Sequence, residues 1–394
     1  MKTELTIILN THMPYVLGKD ALFSEPENWL FEAITETYIP LFSILSQWRA
    51  EQFEGKKIIL SMTPCLVEQL LHCRERYIQY LEILHKIAQF EVERSQNKSL
   101  FNQYQKNPQD LSSEQLNLLN KSSQAYVQRI NQALKFMADH DLMDFLKKLL
   151  TNKLTHVELW TSSPNHNFLP FFKQQTSDHF VQRGVELFEN TFDRKPDGFW
   201  LPECAYMPGV ENSLLKAGIS KTAMALNAIE PYHSNLKSGI YQYNDLQVLI
   251  HDFRIAMNIW QAPSDTLPSN PVYREFYRDI GHDVRPEYFD NLGIVLPKQN
   301  GQTKAVWTGI KHFAGSGSEI PLGAKRIYDI DAARQQARQD VPTFLSILDN
   351  SRDLVYDQKN FILAFDTELF GHWWHEGLWW LENLLQYDLN EKGA

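Results

Sequence analysis

Seven short runs of the chain are apolar, rich in β-branched residues and bounded by polar or turn residues: LTIILN, KKIILSMTP, HVELWTSS, GFWLPE, KTAMAL, LQVLIHDF and FILAFDTE. Runs of this length and composition predict buried strands. Between several of them the apolar spacing changes to threes and fours. VQRGVELFENTFDR before the fourth run and GVENSLLKAG after it predict helices, the second ending at a Gly218 cap. Strand alternating with helix predicts an α/β protein with a parallel sheet, and 394 residues suit a closed or nearly closed (β/α) barrel.

One stretch breaks this rhythm. From about Pro64 to Lys153 the pattern is helical, with one stripe at Leu66, Leu70, Cys73, Tyr77, Leu81, Leu84 and Ala88. A second stripe runs through Leu116, Leu119, Val127, Ile130, Leu134 and Met137, beyond the polar SQNKSLFNQYQKNPQDLSS. Residues 64–153 therefore read as a helical insertion after the second strand, packed on a barrel that spans residues 1–390. The polar NAIEPYHSNLKSG, residues 227–239, suits a lid over a barrel mouth as well as a loop without a role.

Composition narrows the function classes. The 38 basic and 48 acidic residues give a formal charge of −10, without a basic patch dense enough to follow a phosphate backbone, so nucleic acid is not an expected partner. The apolar run in MKTELTIILN is too short for a signal-peptide core, and no segment is long enough for a membrane span. Cys65, Cys73 and Cys204 form no CxxC pair. A cytoplasmic location is expected, and oligomeric state is left open.

Parallel barrels expose the carboxyl ends of their strands at one mouth. Reading those ends gives Asn10, His12 and Pro14; Glu158, Trp160 and His166; Glu203; His251 and Asp252; and Asp366 and Glu368, followed by LFGHWWHEG. Two carboxylates on separate strands beside aromatic walls suit glycosidic-bond chemistry, where one attacks or activates water and the other protonates the departing oxygen. Four of the ten tryptophans, Trp373, Trp374, Trp379 and Trp380, fall close together, and indole faces stack on sugar rings. A metal site drawn from His12, His166, His251, His372 and His375 competes, but neither an HxH nor an HExxH pair occurs. A GxSxG elbow is also missing.

GFWLPECAY, FDTELFGHWWHEG and NPVYREFYRDIG, with NTHMPYV and VELWTSSPNHNFLP in the same order along the chain, resemble the motifs of glycoside hydrolase family 57. The resemblance implies an incomplete seven-stranded (β/α) barrel and a retaining mechanism without metal or other cofactor. By it, Glu203 matches the nucleophile and Asp366 the general acid/base. His12, His166, His251, Trp260, Ser269 and Trp373 match substrate-binding positions. The implied substrate is an α-glucan such as glycogen, amylose or a maltooligosaccharide. The implied reaction is 1,4-α-glucan branching, in which an α-1,4 linkage is cleaved and the glucan passes through Glu203 to a 6-hydroxyl. α-Amylase or 4-α-glucanotransferase activity, or a weakened glucan-binding remnant, are the alternatives. The chain departs from the motifs at Asn10, His251 and Ser269-Asn270, and its end at Ala394 implies that the family's C-terminal helical region is absent.

Overall fold

The structure is a computed structural model that describes residues 3–18, 25–48, 54–151, 157–260, 267–296, 298–299, 302–303, 306–317 and 319–389. Eight strands form its principal sheet: β1 (Glu4–Thr11), β2 (Lys56–Met62), β3 (Val157–Ser162), β4 (Phe199–Trp200), β5 (Lys221–Ala225), β6 (Gly239–Tyr243), β7 (Leu246–His251) and β8 (Asn360–Asp366). Their spatial order is β8-β1-β2-β3-β4-β5-β7-β6. Seven are parallel, and only β6 runs antiparallel, against β7.

The seven apolar runs are the seven parallel strands, in agreement with the α/β barrel expected from sequence. β6 was not expected. Its GIYQY is mostly exposed, so it lacks the apolar signature of the others. It is held by a two-residue turn in which Asn244 adopts φ 50°, a conformation asparagine tolerates better than most residues. The ends of the sheet curl toward each other. Ser238, just before β6, bridges to the segment before β8, donating to Leu354 O at 3.1 Å and accepting from Tyr356 N at 2.7 Å.

Alternation along each strand divides two cores. Ile8, Ile59, Trp160, Trp200, Ala223, Leu249 and Ile362 pack together inside the barrel, which is therefore filled rather than open. Leu5, Ile7, Leu9, Ile58, Leu60 and Leu363 point outward into the helical layer. Glu158 and Trp160 belong to the interior, which corrects their placement at the mouth. Strand β3 continues two residues past Trp160, so that ring lies a layer below the opening. Glu158 sits deeper, paired with Lys57 at 2.5 Å and Lys221 at 2.6 Å near the starts of β2 and β5.

Between β2 and β3 lie the helices Pro64–His72, Arg74–Ser95, Lys98–Gln103, Ser113–Asp139 and Leu142–Thr151. The two long ones pack on each other through the stripes. The polar stretch between them holds the helix Lys98–Gln103, which is capped by Asn97 accepting from Ser99 N and Leu100 N. The helix Val210–Lys216 closes as its sequence suggests, with Gly218 N donating to Leu215 O and Ile219 N to Leu214 O. Among the described residues, no helix is long and apolar enough to cross a membrane.

Candidate active site

Glu203 is positioned by a short strand and a strained turn. Gly198, just before β4, lies so close to Trp160 that a Cβ there would meet the indole at 2.4 Å. After Trp200 the chain turns through Pro202, and Cys204 N donates to Leu201 O at 2.9 Å. Glu203 and Cys204 both take left-handed conformations, at φ 57° and 54°. Such a conformation costs about 1–2 kcal/mol for a residue with a Cβ. It persists only where surrounding structure dictates it, and it clusters at functional sites. The Glu203 side chain is 70% exposed, with Oε1 3.7 Å from Nδ1 of the His166 ring.

Asp366 is held in the opposite manner. It ends the seven-residue β8 and is the register partner of Asn10 on β1. Asn10 Nδ2 donates to Asp366 Oδ1 at 3.1 Å. Burial raises the Asp366 pKa above the ordinary carboxylate range, and the hydrogen bond from Asn10 offsets only part of the shift. Two residues on, Glu368 is buried and accepts a hydrogen bond from Tyr38 OH. Burial pushes its pKa up to about 8, against the opposing pull of that hydrogen bond.

Both carboxylates line one cleft of about 490 Å³, together with Asn10, His12, Trp29, His166, Trp200, His251, Glu368 and Trp373. His12 and His166 face each other with ring centroids 3.9 Å apart. Burial lowers the His12 pKa to about 4; burial and its His12 neighbour lower that of His166 to about 3. His251 is lowered to about 4 by burial and lies parallel to Trp200, with ring centroids 6.3 Å apart. At neutral pH all three rings are neutral, able to donate from one nitrogen and accept at the other. Asn10 Oδ1, His166 Nε2, Trp200 Nε1 and both nitrogens of His251 are buried without hydrogen-bond partners. Unpaired buried groups of this kind cost about 1–3 kcal/mol each, and hydroxyl groups of a ligand would satisfy them.

The remaining sequence-derived positions lie elsewhere or outside the description. Ser269 is exposed at the end of the turn Leu267–Ser269 and does not line the cleft. Leu267, fully buried, anchors that turn, and the next residue, Asn270, caps Val272 N instead. The side chain of Trp260 lies outside the described residues. Among the described residues, Glu32, Glu36 and His372 are close enough to suggest a metal-binding trio. Their charges are already met. Arg274 donates to both oxygens of Glu36, at 2.7 and 3.2 Å, and Lys311 Nζ lies 3.6 Å from Glu32. Burial alone would raise the Glu36 pKa, yet Arg274 and the flanking histidines hold it well below the ordinary range. This chemistry fits an ion-pair network better than a divalent cation.

The sequence profile of glycosyl hydrolase family 57 matches residues 6–253. The chain belongs to this family. A 1,4-alpha-glucan branching enzyme of Thermococcus kodakarensis is 29% identical over 410 residues, which cover 98% of this chain and 55% of that protein. The crystal structure of the alpha-amylase AmyC from Thermotoga maritima superposes with a TM-score of 0.82 at 27% identity, covering 98% of this chain and 71% of that one. The GH57-type branching enzyme of Pyrococcus horikoshii gives a TM-score of 0.73 at 25% identity, covering 98% and 67%. The chain thus spans little more than half the length of the first of these relatives.

Within this family 57 chain, the sequence reading missed the wall contributed by residues 25–47. The helix Glu25–Ala33 runs into a π-helical turn at Ile34–Tyr38 and continues as the helix Ile39–Gln47. Trp29, Glu32 and Glu36, spaced three and four apart, share a helix face, and Tyr38 reaches Glu368. The signal lay in ENWLFEAITETY, whose acids recur at helical spacing within an apolar stripe. A π-turn there is a further mark of a functional wall.

Proposed function

We propose that this protein is an α-glucan-active retaining transglycosidase, most specifically a 1,4-α-glucan branching enzyme. One observation carries the reading: two carboxylates of contrasting environment line a single cleft walled by Trp29, Trp200 and Trp373. Glu203, exposed in the cleft, is the nucleophile. It attacks the anomeric carbon as Asp366, whose pKa burial raises, gives a proton to the departing oxygen. The glucan is then held as an ester on Glu203. In the second half-reaction Asp366, now ionised, takes the proton of an incoming 6-hydroxyl, which attacks the anomeric carbon and releases Glu203. The neutral histidines and unpaired polar atoms receive the ring hydroxyls, and no step requires a metal.

The likeness to the T. maritima alpha-amylase supports a second reading, in which water replaces the 6-hydroxyl. Incubation with amylose, following reducing ends and new α-1,6 branches, separates the two. Branches formed with few new reducing ends support the proposal. Reducing ends without branches support hydrolysis, and neither product refutes both. The three cysteines, all free thiols, support a location in the cytoplasm, where glycogen synthesis would use the activity.

A further inference from the structure

The geometry points to a second pyranose site beside the cleft, in a hollow of about 180 Å³ on the far side of Trp29 and Trp373, where an acceptor glucan would place one sugar ring. Trp29 and Trp373 line both spaces, so the hollow continues the active-site cleft rather than standing apart from it. Its residues come from the helix following β1, from the loop following β8, from the segment 306–317 and, for Phe276, from the segment 270–279. The first two elements belong to neighbouring strands at the carboxyl end of the barrel, next to Asp366.

The chemistry of the walls suits a neutral sugar. Trp29, Phe276, Trp307 and Trp373 supply flat aromatic surfaces, and Asn28, Glu32, Lys311 and His372 supply polar groups. The volume lies below the roughly 300 Å³ of a pocket for a larger ligand, which suits one ring. Two polar atoms in these walls are buried without hydrogen-bond partners: Asn28 Oδ1 and Trp29 Nε1. Asn28 is 2% exposed, so solvent does not satisfy it. Asn28 is fixed in orientation because its Nδ2 donates to Trp307 O at 2.9 Å. Nδ1 of His372 lies 3.7 and 3.6 Å from the carboxylates of Glu32 and Glu36 and so belongs to the ion-pair network behind the hollow.

Charge excludes the alternatives. Lys311 is 1% exposed and faces Glu32 at 3.6 Å, with Glu36 and Arg274 behind, so opposite charges are matched within the wall. A phosphate would meet Glu32, and a cation would meet Lys311. A neutral ring can donate to a carboxylate and accept from an ammonium at once, and such charge-assisted bonds are stronger than neutral ones. Lys311 also lies over the rings of Phe276 and Trp307, at 5.2 and 5.8 Å from their centroids.

The inference rests on the α-glucan reading but is tested apart from catalysis. The 394-residue protein is titrated with maltose by calorimetry, alongside Trp307→Ala, Trp307→Leu and Asp366→Asn. Trp307 lines the hollow and not the cleft. The expected result is a class of maltose sites weakened at least tenfold in both Trp307 variants and retained in Asp366→Asn. Titrations of the Trp307 variants that superpose on wild type overturn the inference, whether or not the protein cleaves glucan. A correctly folded Trp307→Leu, checked by its unfolding midpoint, guards against loss by misfolding. Where wild type branches amylose, the Trp307 variants should also lower the ratio of transfer to cleavage. Equal loss of both contradicts an acceptor role.

Discussion

The two sides of the cleft are built in opposite ways. Glu203 stands on a two-residue strand and a left-handed turn, with its side chain mostly in solvent. Asp366 ends a seven-residue strand and is paired in register with Asn10, and the loop that follows it joins the helical insertion in an ion-pair network. In that network Arg129 donates to the His375 ring, and Arg274 holds Glu36 and Tyr126 together. At Gly371 a Cβ would meet Glu36 O at 2.1 Å, so the loop lies directly against the π-turn. Glu203 is open to an incoming sugar, whereas burial raises the pKa of Asp366. The proposed roles follow this difference in construction, with Glu203 as nucleophile and Asp366 as proton donor.

The sharpest way to break this comparison is to remove each carboxylate. Glu203→Gln should abolish turnover on amylose, a loss on the order of 10⁴-fold or more, because no covalent intermediate can form. Asp366→Asn should cost about 10²–10⁴-fold on the same substrate. With α-glucosyl fluoride, whose leaving group needs no proton, the first half-reaction should recover in Asp366→Asn and stay absent in Glu203→Gln. Equal recovery in both variants would mean that the roles are wrongly assigned.

The nucleophile side depends on one close approach. Gly198→Ala should destabilise the protein by about 1–3 kcal/mol in urea unfolding, as the added methyl group forces Trp160 out of the barrel core. An unchanged midpoint would show that β4 is less tightly seated than the structure indicates.

On the acid side, Glu368 ties stability to pH. Its folded pKa of about 8 exceeds the ordinary 4.5, so the native state holds a proton that the unfolded chain releases. Its contribution is complete below pH 4.5 and is lost as pH rises toward 8, at up to about 1.4 kcal/mol per pH unit. Glu368→Gln keeps an acceptor for Tyr38 and removes the titration, so its stability should fall less than wild type between pH 5 and 8. Parallel stability curves would refute this. The smallest effect is expected of Asn10→Ala. Without the hydrogen bond that favours the ionised form, the alkaline limb of kcat/KM should move to higher pH, by about one unit or less.

The same contrast explains what could be read from sequence. The parallel strands were legible because both their faces are buried and their runs are continuously apolar. β6 escaped because it has one exposed face and an unremarkable composition. Glu203, Asp366, His12 and His166 could be found as polar residues at the ends of apolar runs. Glu158 and Trp160 looked equivalent by that rule, but depth along a barrel strand is set by the register of its neighbours, which sequence does not display. Trp29 and Glu32 share one helix, but Lys311 comes from a distant segment that meets it only on folding, so this pairing is visible only in three dimensions.

The central claim is that Glu203 carries the sugar. Incubating the protein with a ring-fluorinated α-glucosyl fluoride, whose electron-poor ring slows hydrolysis of the intermediate, should trap it. Mass spectrometry of the digested protein should find the sugar mass on the peptide containing Glu203, and not in Glu203→Gln. A sugar on any other residue, or inactivation without an adduct, would contradict the account.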